Sequence, residues 1–510
     1  MNIRPFLGLA GIVLGSISAD FNSQVASNAM GDVSGGLGLS HDPGTWFSSL
    51  YLSAEVVGMA LSPWLMVTFT LRQFTLFVFI LNAVSSGLIP FCPQTSALYL
   101  LRGLQGLSGG LTIPLLMTTT LRVLDPSTKL YGLAIYALTA TFTPALSPAM
   151  AGLWTDLVGW QFVFLESLPL CVLAGLLVWY GEEQDSPDYG RFRIFDWRGA
   201  LLVVIGLGSL TTMLQQGDRF DWFNSPLICM LALASAVGVP LLLLNEWFHP
   251  LPLLKLQLFG RRNLAYGGIA IFTFVIVGQS SSTVPNSFLQ EVQGFRPEQF
   301  YLITFVIAGS QLVLLPATAW LLDHRRIDAR IVQMVGLVCV LISCIGASQL
   351  TTTWFRGQFY LWQAFQAVGQ PLIVMPLLLF STNSVKGPEE APFISAAINT
   401  PRALAEATGV WLIQLIDRWR GGLHYNRLAD QAGQDRWRLP GASPIPSNPV
   451  PGSMSALQPV IEQQAQVLTM SDTFLIMAAM TVALMVVLVF MPQRTLPPRI
   501  IAAEKQGSAT

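Results

Sequence analysis

Fourteen stretches of this chain are apolar over the length needed to cross a lipid bilayer, and that pattern confines the fold to a helical bundle embedded in a membrane. They lie near residues 6–27, 46–69, 73–91, 97–121, 130–153, 160–180, 198–216, 225–246, 264–290, 299–321, 331–350, 357–382, 394–417 and 471–491. A spanning helix needs about 20 predominantly apolar residues. Composition agrees, because only 11% of the 510 residues are charged, whereas a water-facing surface calls for roughly 25%. A net charge of −1 leaves no electrostatic footprint for nucleic acid. The five cysteines sit in or beside apolar segments without CxxC spacing. They read as small core residues, with neither a disulfide framework nor a metal site suggested.

Charge placement tests the count independently, since Lys and Arg favour cytoplasmic loops. With the N-terminus inside and loops alternating, 17 of the 27 basic residues fall inside and eight outside, and Arg102 and Arg402 fall within spans. Five of the eight outer charges belong to one long loop around 418–470, so the short loops and tails split seventeen to three. Both termini are therefore expected in the cytoplasm. The first span, MNIRPFLGLAGIVLGSISA, has the basic start and small residues of a secretory signal. Its apolar pattern resumes beyond Asp20, and it is read as a retained span.

Two loops divide the chain. GEEQDSPDYGRFRIFDWRG (181–199) is polar and follows six spans; the loop at 418–470 contains RLPGASPIPSNPVPGS, rich in Pro, Ser and Gly. The expected organisation is a six-helix bundle (1–181), linkers with two extra helices (182–260), a second six-helix bundle (261–495) carrying the outer loop 418–470, and a cytoplasmic tail (496–510). RLADQAGQ and ALQPVIEQQAQVL are expected as short helices flanking the outer loop.

Charged residues inside spans are costly, with estimates from ~2.5 to over 10 kcal/mol for an arginine, and they mark functional positions. At ~1.5 Å per residue, Asp20 lies roughly 11 Å from the outer boundary, Glu55 roughly 14 Å, Glu166 roughly 9 Å, Glu406 roughly 17 Å and Arg102 roughly 8 Å. One cavity could hold all five. The similar depths of Arg102 and Asp20 predict that these two pair. Arg402 stands one helical turn before Glu406, an i,i+4 partner on one face. Glu55, Glu166, Gln105 and Arg402 are candidates to line a substrate cavity, with Asp20, Arg102 and Glu406 as candidates for proton coupling. TATFTPALSPAMAG places Pro144 and Pro148 within one span, where proline removes helical hydrogen bonds; with Gly152 and Gly106 they are candidate gating positions.

These motifs resemble the major facilitator superfamily, specifically its fourteen-span drug:proton antiporters, the EmrB/QacA-like group. LRGLQGLSGG is similar to the fourth-span pattern R-x-x-Q-G through Arg102, Gln105 and Gly106. LSPAMAG is similar to G-P-x-x-G-G, keeping Pro148 and Gly152, and GWQFVFLESLP keeps Trp160, Phe164 and Pro169 of W-x-W-x-F-x-x-N-x-P. Asp20 matches the first-span acid, and NTPRALAEATG resembles R-x-x-G-G-S-x-G through Arg402 and Gly409. The usual loop G-x-x-x-D-R-x-G-R-R is almost absent from SPWLMVTFTLRQF, where Arg72 alone remains as a cation. The resemblance implies two six-helix bundles plus two helices, and proton-driven export of an amphipathic or aromatic drug across the bacterial inner membrane. No cofactor is implied beyond the proton gradient. A periplasmic adaptor and an outer-membrane channel are implied as partners. A nutrient importer keeps the same fold, and a non-transporting receptor on the same scaffold is the alternative from another class. No nucleotide loop, metal-ligand cluster or GxSxG motif speaks for an enzyme.

Overall fold

The computed structural model describes residues 4–184, 187–434 and 452–501. The proline-rich core of the outer loop and the last nine residues, where the tail was expected, lie outside the described residues. Fourteen long helical rods match the fourteen expected spans in order. They are α1 (Arg4–Asn28), α2 (His41–Phe69), α3 (Leu71–Phe91), α4 (Thr95–Val123), α5 (Lys129–Val158), α6 (Phe162–Gly181), α7 (Trp197–Gln216) and α8 (Pro226–Phe248). Then follow α9 (Arg262–Val292), α10 (Pro297–Leu322), α11 (Ala329–Ala347), α12 (Arg356–Thr382), α13 (Ala391–Ile416) and α14 (Gly452–Phe490). No strand occurs among the described residues.

Twelve of the rods are long and apolar enough to cross a membrane by length and composition. The two that fall short on apolarity, α4 and α13, are 29 and 26 residues long. They are also the rods that carry Arg102 and Arg402. Both are largely buried among other helices, so their polar faces never meet lipid and their hydropathy is free to fall.

The loops expected inside gather at one end. There Arg261 makes a bidentate pair with Glu390 (2.8 Å to each oxygen), Arg499 meets Asp323 at 3.2 Å, and Arg122, Arg191, Lys255 and Lys386 line a common cleft. A single residue, Thr70, joins α2 to α3 with φ of 74°, a conformation strained for a β-branched side chain. Beside it Arg72 stacks on the Trp179 ring at 4.5 Å. Linker rings close over the same corner: Phe192 lies 5.4 Å from Phe69, and Phe195 lies 4.3 Å from Trp64. Aromatic packing thus occupies the place of the charged loop motif.

At the opposite end, the flank of the outer loop forms the helix Gly422–Gln434. The second expected flanking helix is not separate but continuous with α14, whose 39 residues reach ~58 Å. That exceeds the ~30 Å hydrocarbon core, so its first turns project beyond the membrane.

Packing differs between the two ends. At the inner end one hydrophobic cluster joins both halves, with Leu121 and Leu133 in contact with the same core as Leu264, Phe380 and Ile394. The Ser395 hydroxyl donates to the Pro114 carbonyl across the halves at 2.9 Å. At the outer end each half keeps its own cluster, one around Phe47 and Phe164 and the other around Phe288, Phe359 and Phe474. The bundle is sealed inside and parted outside.

Candidate functional site

Between the halves, from the membrane centre toward the outer end, lies a cavity whose empty space, its open mouth included, is about 950 Å³. Pro144 and Tyr136 of α5, Gln279 and Ser282 of α9, Gln370 of α12, and Arg402 and Glu406 of α13 reach it. Phe274, Val275, Ile307 and Val374 supply an apolar wall. One side can therefore hold a flat or branched hydrophobic body while the other offers amides and hydroxyls.

Its ionic centre is Arg402. The guanidinium approaches Asp20 of α1 at 3.5 Å and Glu406 at 3.4 Å. Asp20 and Arg402 are both buried. The i,i+4 pairing expected from sequence is present; the partner of Asp20 is not the expected one. Among the described residues one oxygen of Asp20 and one nitrogen of Arg402 have no hydrogen-bond partner. The pair joins the two halves of the molecule, since α1 and α13 belong to opposite ones. Tyr136 stands next to it, its hydroxyl donating to Asn399 at 2.6 Å.

Arg102 does not pair with Asp20. It donates to the backbone carbonyl of Asn22 at 3.0 Å and to the Gln105 side chain at 2.5 Å. Its plane lies against the rings of Tyr51 (4.2 Å) and Phe47 (4.9 Å). The helix geometry explains why. Gly106 and Gly110 leave no room for a Cβ against the backbones of Tyr51 and Glu55, so the Arg102 face of α4 is pressed onto α2 and aimed at its aromatic residues. Gln105 continues inward to Ser86 at 2.7 Å, and Asn82 to Asn22 at 2.9 Å. Arg102 and Gln105 anchor a polar chain inside the first half, and Gln105 does not line the cavity. Gly106 is a contact point between α2 and α4.

Glu55 is buried, one of its oxygens is without a hydrogen-bond partner among the described residues, and it is not one of the residues lining the cavity. Glu166 is farther away. It sits where α6 is interrupted, between Phe162–Leu165 and Ser167–Gly181, and accepts a hydrogen bond from the Trp154 indole. That local partner at the outer rim replaces the cavity role expected for it. Pro144 lines the cavity; Pro148 and Gly152 are buried beside it on α5, which stays helical through both prolines. The neutral polar lining of Gln279, Ser282 and Gln370 carries no charge to mark it in the sequence. Its signal was present in GQSSST (278–283), a polar run inside an apolar span.

Two helical halves closing on a buried ionic centre, with a cavity between them, define a secondary membrane transporter rather than an enzyme. Residues 12–410 match the Major Facilitator Superfamily, and the chain belongs to that family. It is similar to the multidrug export protein EmrB of Haemophilus influenzae, 26% identical over 80% of each chain. It is also similar to the probable multidrug resistance protein EmrY of Escherichia coli, 26% identical over 92% of this chain and 91% of that one. The colistin resistance protein EmrB of Acinetobacter baumannii is 23% identical over 84% and 83%. Among solved structures, the proton:xylose symporter XylE superposes with a TM-score of 0.57 at 12% identity, covering 97% of both chains.

Proposed function

We propose that this chain exports amphipathic or aromatic compounds from a bacterial cytoplasm in exchange for protons, with Asp20 as the proton carrier. The observation that carries the reading is the Arg402 bridge between Asp20 and Glu406. An ionised Asp20 holds Arg402 and so ties α1 to α13. A proton arriving from the open outer side removes that charge, and the tie between the halves weakens. The halves then rock about the central site, as alternating access requires. Proton release on the inner side restores the bridge. The Glu406 carboxyl lies beside the bridge, and the apolar wall of Phe274, Val275 and Val374 receives the body of the cargo. The names of the EmrB and EmrY relatives support drug export.

The seventeen-to-three charge split supports an inner-membrane protein with both ends cytoplasmic. A periplasmic adaptor leading to an outer-membrane channel fits the projecting part of α14 and the helix Gly422–Gln434. To test the reading, the chain is expressed in a strain lacking its main efflux pumps and challenged with dyes, bile salts and antibiotics. Export predicts raised tolerance to several aromatic compounds that Asp20→Asn abolishes at equal protein abundance. Equal tolerance with and without the chain across the panel would refute it.

A further inference from the structure

The extra pair, α7 and α8, is held differently at its two ends. Its inner end is packed in apolar contacts, with Val203, Leu207 and Leu242 in one cluster with Trp64 of α2 and Ala403 of α13. Its outer end is bound by polar contacts to both halves. Toward α2, the hydroxyls of Thr212 and Ser53 meet at 2.9 Å, Gln216 donates to Ser49 at 2.6 Å, and Arg219 reaches Thr45 at 2.6 Å and Asp42 at 2.9 Å. Toward α13, Gln215 donates to the Ala407 carbonyl at 3.3 Å and Trp222 stands edge-on to Trp411. Beyond α13, Arg418 pairs with Asp218 at 3.4 Å and with Asp221.

The two sets of contacts differ in kind. Ser49, Ser53 and Gln216 are buried, and breaking bonds among buried groups leaves donors unsatisfied. The Arg418 side chain is 41% exposed and Asp221 55%, and exposed ion pairs contribute little and exchange readily with water. The hairpin is therefore fastened firmly to the first half and lightly to the second.

We propose that residues 215–222 form a strap across the outer α2–α13 seam, carried by the first half and latched to the second through Arg418. The latch is closed in the arrangement seen here, sealed inside and parted outside, where it holds the outer edges of α2 and α13 at their present spacing; rocking to the other arrangement draws those edges together and has to disrupt it. The additional helices thereby bias the transport cycle from outside the transport path.

Deuterium exchange of the purified full chain in detergent tests this without any cargo, and so independently of the export reading. Arg418→Glu should speed exchange at the inner seam, residues 112–120 and 392–399, by roughly two- to fivefold, the range an exposed pair commands. Adding Asp218→Arg and Asp221→Arg should restore it. Peptides of α3 report whether each variant is folded. A second pair of variants settles the matter if Arg418→Glu folds poorly. Asp221→Cys with Arg418→Cys, joined by a short bis-methanethiosulfonate, should slow exchange at the inner seam. Ser53→Cys with Thr212→Cys, joined the same way within one half, should not. Unchanged seam exchange in Arg418→Glu, or equal effects of the two bridges, would overturn the strap.

Discussion

Arg102 shows how far single residues can be read. Depth along a helix follows from counting, and it set Arg102 level with Asp20, but depth leaves rotation about the helix axis open. The ridge of Gly106 and Gly110 fixes that rotation, turning Arg102 onto Tyr51 and Phe47. Both hydrogen bonds, to Asn22 and Gln105, leave one terminal nitrogen while the delocalised plane lies against Tyr51 and Phe47, and a compact ammonium cannot reproduce that stacking together with the bonds. Arg102→Lys should lower stability by about 1–3 kcal/mol, read as a fall in the thermal midpoint in detergent. The fall should be the same in an Asp20→Asn background, because the two residues are not partners; strong non-additivity would contradict the geometry. Gly106→Ala drives a methyl group into the Tyr51 backbone, and overpacking of this kind costs about 1–3 kcal/mol. The same thermal assay should show a drop comparable to that of Arg102→Lys. The Arg402–Glu406 pair was legible because one helix carries both. The Asp20–Arg402 pair was not, since it needs the relative placement of the first and thirteenth helices.

Among the elements, all fourteen rods were legible from apolar length, and even the polar α4 and α13 were recovered once interior helices were allowed to carry charge. The helix in ALQPVIEQQAQVL was legible, since Gln and Glu are good helix formers, but its continuity with α14 was not, because those polar residues end the apolar run that marks a span. Inner-end loops are held by specific pairs. The Arg261 guanidinium beside Glu390 holds its carboxyl at about 2, below its ordinary 4.5. A carboxylate depressed on folding contributes stability that is complete above the ordinary value and is lost as pH falls from about 4.5 to about 2. Glu390→Gln should therefore lower the melting temperature at neutral pH. The difference from wild type should shrink through that acid window and vanish near pH 2. A difference that stayed constant with pH would show that the pair contributes nothing electrostatic.

The whole molecule places a cavity and an ionic bridge where its halves meet, sealed on the inner side by one continuous core and parted on the outer side into two. Everything proposed for its cycle turns on Asp20 exchanging a proton while Arg402 holds it to the opposite half. Asp20→Asn keeps the size of the side chain and removes the exchangeable charge. The decisive measurement is efflux of a panel-identified compound from proteoliposomes under an imposed pH gradient, counted per folded molecule. Wild type should accelerate with the gradient, while Asp20→Asn should bind the compound and show no acceleration. Gradient-driven efflux by Asp20→Asn at the wild-type rate would contradict the account.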